Sequence, residues 1–198
     1  MAIGFWQTLT TLQASGTAIT AAARTSMTGG STQGRFTIPA NAIKTPGDQL
    51  MLDAWGVISC VVTTPGTARF DLALDTTAKL DTTAMPLNIV ARSGVPWNLR
   101  LVATFTGVGT AAVVNWSGSW LCEAMINTAL QATGPGPGGT MVPYTGTATN
   151  NSGTTITGTA WGDTTVSHLL DLYFTQTVTT GSCQLLQMNV ALLTATGF

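Results

Sequence analysis

The sequence predicts an all-β protein made of two packed antiparallel sheets, and three observations support this. Apolar and polar residues alternate along several short runs, as they do in strands with one buried face. Turns rich in glycine, proline or threonine separate these runs. No segment repeats apolar residues at helical spacing for long. About eight such strands are typical of a jelly-roll β-sandwich. We expect an antiparallel one with an extended N-terminal arm and a long insertion between strands six and seven.

The predicted arm covers residues 1–33, and the predicted sandwich covers residues 34–198. The arm is rich in threonine, alanine and glycine, and it favours an extended chain with at most one helical turn, at 21–24. Phe5 and Trp6 are candidate interface anchors, because two aromatic side chains near an exposed terminus are unfavourable unless something covers them. We expect the arm to reach neighbouring subunits.

The first four strands are predicted at 34–38, 49–62, 69–74 and 87–91. Pro39 ends the first, since proline cannot donate to a strand ladder. The second strand alternates, with Trp55 on the face opposite its leucines. A Pro65-Gly66 turn leads to the third strand, where Phe70 points inward and Asp71 outward.

The last four strands are predicted at 97–106, 112–126, 167–178 and 182–194. Glycine-containing turns at 107–109 and 179–181 join them into two hairpins. Gly118, inside the sixth strand, indicates a bulge or a close backbone approach. The eighth strand places Leu186 on one apolar face with Met188 and Val190.

The predicted insertion spans residues 127–165, with one possible helical turn at its start and a short strand near 154–160. A loop of this length in a compact domain is usually functional or an assembly contact. Its glycine- and proline-rich stretch at 134–139 lacks the Lys-Ser/Thr ending of a phosphate-binding loop, so we interpret it as a stiff linker.

Composition excludes several classes of partner. Only 8% of the 198 residues are charged, against about 25% in ordinary domains, which favours a protein whose surface is covered in an assembly. The seven basic residues are scattered singly, so we expect no direct binding of nucleic acid. The longest apolar run, 54–62, is too short to span a membrane. Three widely spaced cysteines indicate buried thiols rather than disulfides or a metal site.

The sequence contains no residue pattern of an active site, and we expect no enzymatic activity and no cofactor. His168 is the single histidine, and Asp171 would project to the opposite face of the same strand. Asp53 and Asp71 occupy outward strand positions, where pairing with Arg69 or Arg100 is expected. The acid–threonine segments at 75–77 and 81–83 could hold a structural ion, although their spacing does not match a calcium loop.

Tryptophan placement separates core positions from candidate contacts. Trp97, Trp116 and Trp120 lie on apolar strand faces and are expected in the core. Three further aromatic residues are candidate interface anchors, because tryptophan and tyrosine are enriched where surfaces bind. They are Trp55, Tyr144 and Trp161.

Several short motifs occur in a recognisable order. The segment RFTIPANAI at 35–43 is followed by the Gly47-Asp48 turn and by LMLDAWG at 50–56. FDLAL at 70–74, the hairpin at 97–116 and the closing pair at 168–193 come next. This order resembles jelly-roll structural proteins of tailed bacteriophages, over about residues 34–126 and 167–194.

The resemblance implies a virion protein that is assembled in the host cytoplasm. The expected function is that of a capsid decoration (cement) protein, which forms a homotrimer and stabilises the phage head shell. Its partners would be its own copies and the major capsid protein or other virion proteins. The alternative is a tail or fibre module that recognises a host surface glycan. A major shell protein of a small jelly-roll virus ranks lower, since such proteins commonly have a basic arm that binds the genome and the arm here has one arginine.

Overall fold

The computed structural model describes residues 6–12, 14–28, 35–61, 66–82, 84–122, 124, 140–145 and 159–194. These residues form two antiparallel sheets packed face to face, which confirms the predicted all-β sandwich. The strands that they contain are β1 (Trp6–Thr11), β2 (Arg24–Ser26), β3 (Phe36–Ile38), β4 (Gln49–Cys60), β5 (Thr67–Leu74), β6 (Thr77–Asp81), β7 (Met85–Pro86), β8 (Arg92–Gly107), β9 (Ala112–Cys122), β10 (Thr140–Thr145), β11 (Thr159–Gly162), β12 (His168–Gln176) and β13 (Ser182–Leu193).

Sheet A has the strand order β1-β13-β4-β8-β9-β10, and β11 also pairs with β9. Its long central strands alternate between buried and partly exposed residues, because one face packs on the core and the other faces outward. Sheet B has the order β2-β12-β5-β6. In sheet B, β3 lies beside β2 along the same edge of β12, and β7 pairs with β5.

The segment predicted as an arm belongs to both sheets. β1 pairs with β13 from Trp6↔Leu193 to Thr11↔Asn189. The chain then follows β13 by hydrogen bonds from the Gly16 and Ile19 amides, before β2 pairs with β12 in sheet B. Residues 21–23 form a bend rather than a helical turn. The described part of the segment therefore closes one side of the sandwich.

Aromatic rings fill the space between the sheets. The Phe70 ring of sheet B lies 4.6 Å from the Trp97 ring and 4.7 Å from the Trp120 ring of sheet A. Trp97, Trp116 and Trp120 are all buried, as predicted. Gly56 leaves the room for Trp97, since a Cβ atom there would lie 2.5 Å from the indole. The three cysteines are free and buried, which confirms their predicted role as small core residues.

Sheet B differs most from the sequence prediction. The predicted strand at 87–91 does not form, and the two-residue strand β7 lies just before this range. The sequence did not predict β6. β6 was missed because its hairpin turn consists of Asp75 and Thr76, with φ of 51° and 85°, and contains no glycine to indicate it.

Sheet A gains two strands from the predicted insertion. β10 and β11 both pair with β9. The predicted helical turn, the 134–139 linker and most of 154–160 lie outside the described residues. Gly118 is a close approach rather than a bulge, since its pairing with Leu101 is regular and an added Cβ would lie 2.6 Å from the Arg100 carbonyl.

Candidate assembly surface

The two outward faces of the sandwich differ in charge. Four of the five ion pairs among the described residues involve sheet B and its adjoining turns. The strands of sheet A contain three charged residues, which are Asp53, Arg92 and Arg100. The shortage of charge seen in the sequence is thus concentrated on one face of the molecule.

On sheet B, Asp71 is almost fully buried although it points away from the core. Arg24 of β2 covers it, with Nε donating to Oδ2 at 2.9 Å and Nη2 donating to Oδ1 at 2.6 Å. Arg24 also donates to the Thr76 carbonyl and stacks over the Tyr173 ring at 3.8 Å. These contacts raise the pKa of Arg24, chiefly through the hydrogen bond to Asp71.

The expected partners of the carboxylates are therefore only partly correct. Asp53 pairs with Arg100 at 3.5 Å, as predicted. Asp71 pairs with Arg24, while Arg69 pairs with Asp81 at 3.2 Å. The sequence could not indicate the Arg24 partner, because strand alternation does not reveal which segment will lie across an outer face.

Asp171 and His168 occupy separate environments. Asp171 is buried beneath Arg35, whose Nε donates to Oδ2 at 2.9 Å, and it accepts a second hydrogen bond from Thr28 at 3.0 Å. Asp171 and Arg35 therefore form a structural ion pair at the junction of β2, β3 and β12. The described residues contain no group of three or more potential metal ligands, at the 75–77 turn or elsewhere.

His168 is held with both ring nitrogens in hydrogen bonds. Nδ1 contacts the Asp75 carboxylate, and Nε2 donates to the Asp163 carbonyl at 2.7 Å. Since both partners are acceptors, the arrangement favours the doubly protonated ring. The hydrogen bond to Asp75 raises the pKa of His168, and in return it lowers the pKa of Asp75. A ring held in this way has no free nitrogen to act as a general base.

The outward face of sheet A presents an apolar patch, defined here as Trp55, Val57, Pro96, Leu121 and Leu186. Trp55 is in register with Asn98 of β8, and Asn98 is in register with Leu121 of β9. Val57 is in register with Pro96 one rung further along. Trp55, Leu121 and Leu186 are 41%, 45% and 39% exposed. The patch thus takes apolar side chains from four adjacent strands, with Asn98 between Trp55 and Leu121 and with Gln187 opposite Trp55.

Leu186 joins this patch because of a register shift. The pairing of β13 with β4 slips between Leu185 and Gln187, opposite Gly56 and Trp55. Leu185 is consequently buried and Leu186 is exposed, the reverse of the predicted alternation. A single extra residue in a strand changes the face of every residue before it, which the sequence pattern does not signal.

The predicted interface anchors have different fates. Trp55 is exposed in the centre of the apolar patch. Trp161 is instead a core residue, 1% exposed, with its ring 5.2 Å from Phe105 in an edge-to-face contact. Phe5 lies outside the described residues. Trp6 and Tyr144 are described by backbone alone, in register with Leu193 and Gly118.

Leu121 was not among the anchors predicted from the sequence. It follows Trp120, and because both residues are apolar, alternation alone does not indicate that Leu121 is an exposed contact residue.

The described residues include no helix long and apolar enough to cross a membrane. Comparisons of the chain with protein-family models, with curated proteins and with solved structures found no match.

Proposed function

We propose that this protein is a virion structural protein that decorates a phage capsid, associates as a homotrimer and stabilises the head shell. The observation that supports this best is the outward face of sheet A, which combines an apolar patch with one ion pair among the described residues, Asp53–Arg100. Exposed apolar side chains grouped on one face of a sheet are typical of surfaces that bind other proteins. A protein that acts by adhesion needs such a face.

We further propose that the sandwich is a jelly roll. Eight of its segments support this, in the chain order β1, β2 with β3, β4, β5, β6, β8, β12 and β13. The first pairs with the eighth, the second with the seventh, the third with the sixth and the fourth with the fifth. This nesting is what a long antiparallel ribbon produces when it rolls into two sheets, a fold that capsid proteins use.

The proposal assigns no catalysis to the protein. Three carboxylates are buried among the described residues. Asp71 and Asp171 pair with arginine, and Asp48 accepts hydrogen bonds from the Lys44 and Thr45 amides. Both ring nitrogens of His168 are engaged. Each of these charged groups has a structural partner that accounts for its position. A structural role for them fits a protein whose function is to hold other subunits in place.

The test is binding of the purified protein to capsids assembled without it, measured by co-sedimentation. We expect saturable binding and a higher temperature of capsid disruption. Deletion of residues 1–30 would remove β1 and β2, so the terminal anchor is better tested by deleting residues 1–5. Val166→Ser is a control substitution away from sheet A, and it should bind capsids like the unmodified protein. Val166 is 48% exposed in the turn before β12. Absence of binding by the unmodified protein would overturn the decoration role.

A receptor-binding module is the second candidate, and one observation favours it. Trp55 is an exposed aromatic ring with Asn98, Asp53 and Arg100 nearby on the same face. An aromatic platform flanked by hydrogen-bonding groups is suited to stacking against a sugar. Binding to a glycan array that disappears in Trp55→Ala, with no binding to capsids, would favour this function over decoration.

A further inference from the structure

A partly open cavity lies between the two sheets, at the side of the sandwich where β1 of sheet A approaches β3 of sheet B. Gln7 and Leu192 face it from paired positions of β1 and β13, and Phe36 faces it from β3. Its volume is about 270 Å³, and an apolar cavity of about 150 Å³ is enough to bind benzene. We infer that this cavity binds a small organic carboxylate with an apolar body, and this inference does not depend on the proposed function.

The walls of the cavity are mostly apolar. Leu9 of β1, Leu192 of β13 and Phe36 of β3 line its sides, and Pro39 and Ala42 line it from the turn that follows β3. Leu192 belongs to the core, and Leu9, Phe36 and Ala42 are partly buried against it. Apolar walls of this kind exclude water from a hydrocarbon or aromatic group, which is how a pocket usually buries the body of its ligand.

The polar groups at the cavity can all donate hydrogen bonds, and the described residues that line it include no carboxylate. The Lys44 ammonium takes no part in the five ion pairs among the described residues. The Thr194 hydroxyl is buried and has no hydrogen-bond partner among them. Because buried hydroxyl groups are normally hydrogen-bonded, this one indicates that an acceptor belongs beside it. Gln7 and Asn41 add side-chain amides.

The charge of the site matches a monoanion. One ammonium neutralises one carboxylate, whereas a phosphate dianion would keep an unpaired charge beside Leu9 and Phe36, where desolvation is costly. A carboxylate has two acceptor oxygens, so it can accept from Lys44 and from Thr194 at the same time. A cationic ligand would meet the Lys44 ammonium and no opposite charge on the described lining.

The turn that contains Lys44 is fixed before a ligand binds. The Lys44 backbone amide donates to Oδ2 of the buried Asp48 at 2.9 Å. The Asn41 amide donates to the Thr164 carbonyl at 2.8 Å, and the Ile43 side chain is buried in the core. A wall that is already in place loses little conformational freedom on binding, so its contacts contribute to affinity.

The experiment follows the methyl NMR signals of the protein during titration with 3-phenylpropionate, which has an aromatic body and one carboxylate. We expect saturable shifts of the Leu9, Ala42 and Leu192 methyl signals, with a Kd on the order of 1 mM for a ligand of this size. Leu121 and Leu186, on the outward face of sheet A, should not shift. The neutral analogue 3-phenylpropionamide has nearly the same shape and is expected to bind about fivefold more weakly.

Three variants test the assignment of the site. Lys44→Gln is expected to weaken binding of the carboxylate about fivefold and to leave binding of the amide unchanged. Ala42→Leu fills the cavity and should abolish binding of both probes. Lys79→Gln is the matched control, since it removes the other lysine of the chain, which lies on β6 and does not line the cavity. The methyl spectrum of each variant without ligand shows whether it has folded.

The results that would overturn the inference are distinct from failure to bind capsids. Absence of shifts at about 10 mM 3-phenylpropionate, well above the expected Kd, would exclude the site. Equal affinity for the carboxylate and the amide, or equal effects of Lys44→Gln and Lys79→Gln, would exclude the role of Lys44. Shifts centred on Leu121 and Leu186, or binding that survives in folded Ala42→Leu, would place the ligand elsewhere.

Discussion

Arg24 and Asp71 form a bidentate ion pair that ties the N-terminal segment to the outer face of sheet B. The two hydrogen bonds measure 2.9 Å and 2.6 Å, and the Asp71 side chain is only 1% exposed. The pair joins β2 to β5 across β12, which lies between them in the sheet. Residues that the sequence suggests as a projecting arm are thus held in place by a buried carboxylate.

Replacing Arg24 is therefore expected to destabilise the protein strongly. Arg24→Ala leaves Asp71 buried without its cation, and breaking a buried pair in this way lowers the free energy of unfolding by about 3 kcal/mol. Arg69→Ala is the matched control: it breaks the more exposed pair with Asp81, where a loss below about 1 kcal/mol is expected. Urea denaturation of both variants gives the comparison, and equal losses would contradict the structural role of Arg24.

Stability is expected to depend on pH through His168. Its pKa is raised above the ordinary value of 6.5 by the hydrogen bond to Asp75, so the folded state binds the proton more tightly than the unfolded state. The stabilisation is complete below pH 6.5 and is lost as the pH rises through the folded-state pKa. Because Asp75 is half exposed, we expect at most about 1 kcal/mol.

The measurement is the urea midpoint of unfolding between pH 5.5 and 8.5, in the unmodified protein and in His168→Gln. The unmodified protein should lose stability as pH rises through this range, and the variant should show a flatter profile. Identical slopes of stability against pH above pH 6, in the unmodified protein and in His168→Gln, would exclude His168 as the source of the pH dependence.

The lowered pKa of Asp75 gives the opposite dependence in acid, with stability lost as the pH falls below about 3.8.

The turn between β5 and β6 contains a strained residue that glycine should relieve. Thr76 has φ of 85°, a left-handed conformation that is unfavourable for a β-branched side chain. Thr76→Gly is expected to raise the free energy of unfolding by about 1 kcal/mol, and it keeps the carbonyl that accepts the Arg24 hydrogen bond. Thr77→Gly, placed in β6 itself, should instead destabilise the protein, so a gain in both variants would argue against relief of strain.

Truncation of two tryptophans should lower stability by very different amounts. Trp161→Ala removes a buried ring packed on Phe105, and we expect a loss of about 3 to 5 kcal/mol. Trp55→Ala truncates a side chain that is 41% exposed, and its effect on the stability of the monomer should stay below about 1 kcal/mol. Thermal unfolding at low protein concentration, where self-association is absent, measures both. A larger loss for Trp55 than for Trp161 would contradict their assigned positions.

The residue pattern was sufficient to predict the class of fold and much of the core. Alternation identified β4, β5, β8, β9, β12 and β13, and it placed Trp97, Trp116 and Trp120 inside. It also placed Trp55 on an outward face, because side chains of a regularly paired strand alternate between its two faces. The low charge of the sequence predicts a surface that is covered in an assembly, and this stays a prediction.

Only the tertiary structure decided which outward residues are exposed and what covers the others. A register shift in β13 exposes Leu186. The Arg24 side chain extends from β2 across β12 and covers Asp71. Trp161, on β11, packs in the core. Each of these results depends on residues brought together from distant parts of the chain. Local alternation predicts the two faces of a strand, whereas burial of an outer face depends on which segment folds across it.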